Sequence, residues 1–178
     1  GGSAIGAYIA YAIKFESMPE MVGLLNGCGG FASFLVAGAE LSRNLSQARE
    51  NAGEDPSTEE IATAIAAALP AEELIAIAAS GVIGAVTLMG SLVAFAKLAE
   101  YKFLNDLPKI PQQNLVNIIG GILALICSVL LVNNPAPGLY WLIVIICLFL
   151  GYSLTISIGG ADMPVVIALL NSYSGLAA

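Results

Sequence analysis

Charged residues vanish from this chain over three long stretches, and those stretches define its plan. Met21 to Ala39, Leu74 to Ala96 and Ile110 to Ala161 contain no Asp, Glu, Lys or Arg. Each is long enough for one or two membrane crossings of about 20 residues. Within the last, Asn133-Asn134-Pro135-Ala136-Pro137-Gly138 is a turn signal that divides the run into two helices, and Gly159-Gly160 breaks the second of them. The pattern predicts an all-α, polytopic transmembrane helical bundle of about six spans. The spans are a partial one over Gly1 to Ile13, then about Met18–Ala39, Leu74–Lys97, Leu115–Val132 and Leu139–Ile158, and a last one from Met163. The first and last are expected to be truncated. Gly1 to Ile13 is too short to cross, and Leu176-Ala177-Ala178 stops inside a helix with no terminating signal, so the chain reads as a piece of a longer protein.

The domain plan is therefore residues 1–39 for the first two spans, 40–73 for an acidic extramembrane loop with a short amphipathic helix, and 74–178 for the third to sixth spans. Local signals refine it. Ser17 is placed to cap the second span, with Pro19 in its first turn. Ser57 and Glu60 have capping-box spacing, followed by Ile61, Ile65 and Leu69 every fourth residue until Pro70. Small residues such as Gly23, Gly27 and Gly30 in the second span, and Gly81, Gly84 and Gly90 in the third, allow neighbouring backbones to come close. Tyr140 and Trp141 open the fifth span where an interfacial aromatic anchor is expected, and its bulky apolar sequence predicts lipid contact.

Composition confirms the class. Hydrophobic residues make up 58% of the chain and charged residues 11%, with a mean hydropathy of +0.87, far from a soluble domain, where about a quarter of residues are charged. Most of the net charge of −7 arises between Glu40 and Glu73, which argues against a nucleic-acid partner because acid repels phosphate. Cys28, Cys127 and Cys147 lie in apolar runs, and no histidine is present, so they read as packing residues and not as a metal site. Gly27-Cys28-Gly29-Gly30 lacks the preceding strand of a nucleotide loop. The connections near residues 14–17, 97–113 and 159–162 share one side and carry Lys14, Lys97, Lys102 and Lys109, against Arg43 and Arg49 opposite. That side is expected to be cytoplasmic or matrix.

One segment has a near copy. Met18-Pro19, Leu24-Leu25-Asn26, Gly30 and Ala32 recur at the same spacing as Met163-Pro164, Leu169-Leu170-Asn171, Gly175 and Ala177. Each Asn lies roughly 10 Å in from its helix start at 1.5 Å per residue, about a third of the hydrocarbon thickness. An isolated amide at that depth is interhelical glue worth about 1 kcal/mol. A repeated one fits a transport plan. Amides do not titrate, so a proton would have to be stored elsewhere. The carboxylates near the same face, Glu16, Glu20 and Asp162, all lie close to the lysine-bearing surface.

These residues carry a resemblance. Gly159-Gly160-Ala161-Asp162-Met163-Pro164-Val165-Val166, Leu170-Asn171-Ser172-Tyr173-Ser174-Gly175, Met18-Pro19-Glu20-Met21-Val22 and Gly90-Ser91-Leu92-Val93-Ala94-Phe95-Ala96-Lys97-Leu98 together resemble the beta-subunit membrane domain of proton-translocating nicotinamide nucleotide transhydrogenase. The resemblance implies a proton-channel domain that couples proton translocation to hydride transfer between NADH and NADP⁺ on separate soluble domains. NAD(H) and NADP(H) would belong to the full enzyme and no cofactor to this chain. The proton path it implies involves Asn26, Asn171, Ser172, Thr87 and Ser91, and Asp162 and Glu20 would face the NADP-binding domain of the same subunit. Implied partners are the alpha subunit with its membrane helices, the lipid bilayer and a second copy of the complex, in a bacterial cytoplasmic or mitochondrial inner membrane. Many members have a histidine where Asn26 stands, so a protonatable group is expected from the alpha subunit. The acidic segment 40–73 is longer than the family's usual connection. The rival readings are a secondary transporter of a small solute, bound by the two Asn-bearing helices, and a purely structural membrane subunit.

Overall fold

The computed structural model describes residues 2–53, 56–101 and 112–176. Its helices follow the hydrophobic blocks: α1 (Gly2–Ala12), α2 (Met18–Asn51), α3 (Thr58–Ala68), α4 (Ala71–Leu98), α5 (Gln113–Asn133), α6 (Pro137–Ile156) and α7 (Met163–Leu176). No strand occurs among the described residues. Four of them, α2, α4, α5 and α6, are long and apolar enough to cross a membrane. The shorter α1 and α7 occupy the places expected of the first and last spans. Lys102, Lys109, Pro108 and Pro111 lie outside the described residues.

The repeat seen in the sequence is also a repeat of backbone geometry. A 3-10 turn, Phe15–Ser17 or Gly160–Asp162, precedes each Met-Pro helix start. The residue before each turn is extended, Lys14 at φ −71°, ψ 148° and Gly159 at φ −66°, ψ 151°. The turns close with matching bonds, Ser17 N–H to Lys14 O at 3.0 Å and Asp162 N–H to Gly159 O at 3.1 Å. Ser17 does occupy the N-cap position of α2, but its side chain makes no capping bond. The preceding 3-10 turn already sets the entry of the chain.

α4 is the central helix and packs on α2, α5, α6 and α7. Its crossing with α2 is close because both helices present glycine there. A Cβ on Gly30 would lie 2.6 Å from Gly84 O, and one on Gly84 would lie 2.7 Å from Gly30 O. The crossing with α6 uses the same device, since a Cβ on Gly151 would lie 2.6 Å from Val86 O. Without a hydrophobic drive between helices in lipid, such close backbone approach is what dispersion can use.

One expectation changes and another is refined. α2 does not stop near Ala39 but continues to Asn51. Leu41, Leu45 and Ala48 keep a helical stripe that is buried, and Asn44 Nδ2 donates to Glu73 Oε1 of α4 at 2.7 Å. The polar excursion thus begins as helix packed on helix. The short helix α3 then follows with its capping box intact: Glu60 N–H donates to Ser57 Oγ and Ser57 N–H donates to Glu60 Oε2.

The second concerns α6, expected to contact lipid: Leu142, Ile145, Phe149 and Leu154 give it an exposed apolar face, but the rest of the helix is packed. Its Tyr140, Ile143, Val144, Cys147 and Gly151 are buried, whereas α5 is the outer helix, exposing Leu115, Ile118, Ile122, Leu125 and Val129. Trp141 stays partly exposed, but Tyr140 is a core residue whose hydroxyl donates to Phe34 O at 2.6 Å. Lipid tails are as apolar as leucine, so hydropathy cannot say which apolar helix faces them. Of the three cysteines, all free, Cys127 and Cys147 are buried packing residues and Cys28 is exposed.

Candidate functional site

Asn26 is buried on α2, and an unpaired buried amide is costly. It has found two partners. Its Nδ2 donates to Ser91 Oγ of α4 at 2.9 Å, and its Oδ1 accepts from Ser174 Oγ of α7 at 3.2 Å. Asn26 is 7% exposed and Ser91 fully buried. One amide therefore ties three helices together.

The place follows from the local sequence. Gly27 and Gly23 flank Asn26 on the buried face of α2, so α4 and α7 can come close. A Cβ on Gly27 would touch Ser91 Cβ at 3.4 Å, and one on Gly23 would lie 3.0 Å from Ile167 Cδ1. Thr87, one turn before Ser91 on α4, is also fully buried, and its Oγ1 has no hydrogen-bond partner among the described residues. A Cβ on Gly30 would lie 2.9 Å from Thr87 Cβ, so this hydroxyl sits at the same α2–α4 crossing.

Ser174 makes the arrangement switchable. Its single hydroxyl proton has two acceptors, Asn26 Oδ1 at 3.2 Å and the Asn171 main-chain carbonyl at 2.9 Å. The Asn171 side chain is exposed, on a groove of about 430 Å³ lined by Met18, Pro19, Val22, Pro164, Ile167 and Ala168. Ser172 is exposed too, and its hydroxyl donates to Ala168 O of its own helix at 3.1 Å. Asn26, Ser91 and Thr87 thus lie together, Asn171 joins them through its backbone, and Ser172 stands apart. Sequence reasoning missed Ser174. Its signal is the spacing to Asn171, one helical turn away on the same helix.

Asp162 is exposed in the 3-10 turn before α7, and Glu20 is half-buried in the first turn of α2. The starts of α2 and α7 share the groove at Asn171, so both acids stand at one end of the bundle. Each also complements the positive end of its helix dipole. The end of α4 joins them there, because Lys97 Nζ bonds to Ile158 O before the turn. The end of α4 at Lys97 thus lies with the starts of α2 and α7, whereas Lys102 and Lys109 lie outside the described residues.

Gly27 to Gly30 lies inside continuous α2 and offers no loop to cradle phosphate. No cluster of His, Cys, Asp or Glu that could hold a metal ion occurs among the described residues. The cluster joins hydroxyls and an amide by hydrogen bonds, and no group in it ionises near neutral pH.

Comparison with known proteins gives one answer. The family described as NAD(P) transhydrogenase beta subunit matches residues 1–178. Two curated proteins of Rhodospirillum rubrum, each described as NAD(P) transhydrogenase subunit beta, are 33% identical over 177 residues, covering 99% of this chain. The chain spans 35% of their length.

Proposed function

Because the chain belongs to the NAD(P) transhydrogenase beta-subunit family, we propose that it forms the proton-conducting membrane domain of such an enzyme. Proton passage through it is coupled to hydride transfer between NADH and NADP⁺ on soluble domains outside this chain. The observation that carries the reading is the buried chain of Asn26, Ser91 and Ser174 across three helices, with Thr87 adjoining it.

In this reading the charge is held by a group that this chain does not supply, on a membrane helix of the alpha subunit. Asn171 faces that partner from the groove, and Ser172 lies on the exposed side of the same helix. When the partner group is protonated, the Ser174 proton turns towards one of its two acceptors and the hydrogen bonding between α2 and α7 changes. Asp162, at the start of α7, carries the change to the NADP-binding domain, with Glu20 beside it at the same end. Differential contact with two conformations of that domain is what coupling requires. The lysine-bearing end then faces the cytoplasm or matrix, in a bacterial cytoplasmic or mitochondrial inner membrane, and the complex works as a dimer.

The test is Asn171→Ala in the complete complex reconstituted in vesicles. Proton translocation is expected to fall at least about tenfold, the loss of one transition-state hydrogen bond of about 1.4 kcal/mol, while insertion and hydride exchange between bound nucleotides persist. Unchanged proton-coupled turnover would remove Asn171 from the path.

A further inference from the structure

We propose that Lys97 is a positioning residue whose ammonium fastens the end of α6 to α4 and thereby holds the turn that carries Asp162. The last carbonyls of any helix lack intrahelical partners. Here Lys97 reaches across to carbonyls at and just past that end, although Thr155 O already accepts from Ile158 N–H at 3.1 Å. Its Nζ donates to Ile158 O at 2.6 Å and to Ile156 O, with Thr155 O at 3.4 Å.

The usual fate of a lysine at the end of a span is to extend towards the headgroups. Lys97 instead is part-buried and bends onto the backbone of a different helix. Among the described residues no carboxylate pairs with it. A cation at a helix C-terminus also meets the negative end of the dipole, so the contact is favourable in two ways at once.

The turn is gripped on its other flank as well. Met163 is fully buried, packed with Ala94, Ile167, Leu98 and Ile158. Gly160 lies beside the end of α4, since a Cβ there would come within 3.9 Å of Lys97 O. Asp162 is exposed between these anchors.

The frame is closed. α4 carries Ser91 in the buried network and Lys97 at the turn; α7 carries Ser174 in the network and begins at the turn. With the turn pinned to α4, a change of bonding at Ser174 reaches Asp162 as a tilt of α7 about that anchor. With the pin removed, the same change is lost in slack. The inference rests on the coupling role of Asp162 given above.

The test uses the full-length subunit in its assembled complex, with a nitroxide label on Ala161→Cys and activity verified. In Lys97→Met the label is expected to become more mobile, and protons translocated per hydride transferred to fall well below the parent ratio. Lys97→Arg, whose guanidinium offers five donors, is expected to restore both. An immobile label and intact stoichiometry in Lys97→Met would overturn the inference. If that variant does not assemble, Lys97→Ala, which also lacks a donor, gives the same two readouts, and parent values for both overturn it equally. Asp162→Asn, run in parallel, separates the two claims. If it uncouples and Lys97→Met does not, the pin is wrong and the coupling role stands. If it leaves coupling intact, the role of Asp162 is wrong and with it the transmission assigned to Lys97.

Discussion

At the scale of single residues, the decisive feature is that hydroxyl protons here have choices. Ser174 can serve Asn26 or its own helix, whereas Ser172 serves only Ala168. Ser174→Ala is therefore expected to reduce proton-coupled turnover about tenfold, the kinetic equivalent of one hydrogen bond of about 1.4 kcal/mol, and Ser172→Ala to reduce it much less. Pumping assays on the two variants side by side check this, and equal losses would refute it. Tyr140 shows a different use of a polar group. Its hydroxyl donates to Phe34 O in the core, a carbonyl within continuous α2, so Tyr140→Phe removes one buried hydrogen bond at a cost of about 0.5–1.5 kcal/mol, read as a lower unfolding temperature in detergent. The sequence shows Asn26 as a conspicuous amide in an apolar run, but beyond its one-turn spacing to Asn171 nothing local marks Ser174 over Ser172. Only the packing of α7 against α2 decides which hydroxyl turns inward.

At the scale of elements, the helix boundaries set by proline, glycine and charge were legible, as at Asn133 to Pro137 and at Gly159-Gly160. The extension of α2 to Asn51 was not, because Leu41, Leu45 and Ala48 are interleaved with Glu40, Arg43 and Arg49 and lower the local hydropathy while keeping the buried stripe. Nor could hydropathy rank α5 and α6 by lipid contact; the small residues Gly151 and Ser153 in α6 were the better signal of packing. The Gly30 and Gly84 crossing makes a sharp prediction. Gly84→Val has no room at 2.7 Å from Gly30 O, so it is expected to destabilise the domain by about 1–3 kcal/mol, whereas Gly121→Val, which meets nothing within 4 Å, is not. Thermal unfolding of both checks it.

The start of α3 adds a pH dependence. Hydrogen bonds from the Ser57 backbone and side chain hold the Glu60 carboxyl below the ordinary value of 4.5. A depressed carboxylate contributes its stabilisation above the ordinary value and loses it as pH falls through the depressed one. Amide exchange in the first turn of α3 should therefore quicken below about pH 4.5 beyond the intrinsic pH trend, and Glu60→Gln should remove that dependence.

At the scale of the whole molecule, the sequence displays a helical membrane domain with a repeated Met-Pro…Asn unit, and the structure shows how that repeat is used. The two units lie side by side with their starts at one end, and a third helix, α4, completes the network between them. Which side chains would meet was not legible, because pairing of Asn26 with Ser91 and Ser174 depends on helix register set by glycines far apart in the chain. The central claim is that this buried network lies on the route of the coupled proton. It is tested most directly by Asn26→Leu in the complete complex in vesicles, with pH change and hydride transfer recorded together. The account predicts that hydride exchange between nucleotides survives while proton movement falls at least about tenfold; full proton translocation by an assembled Asn26→Leu complex would contradict it.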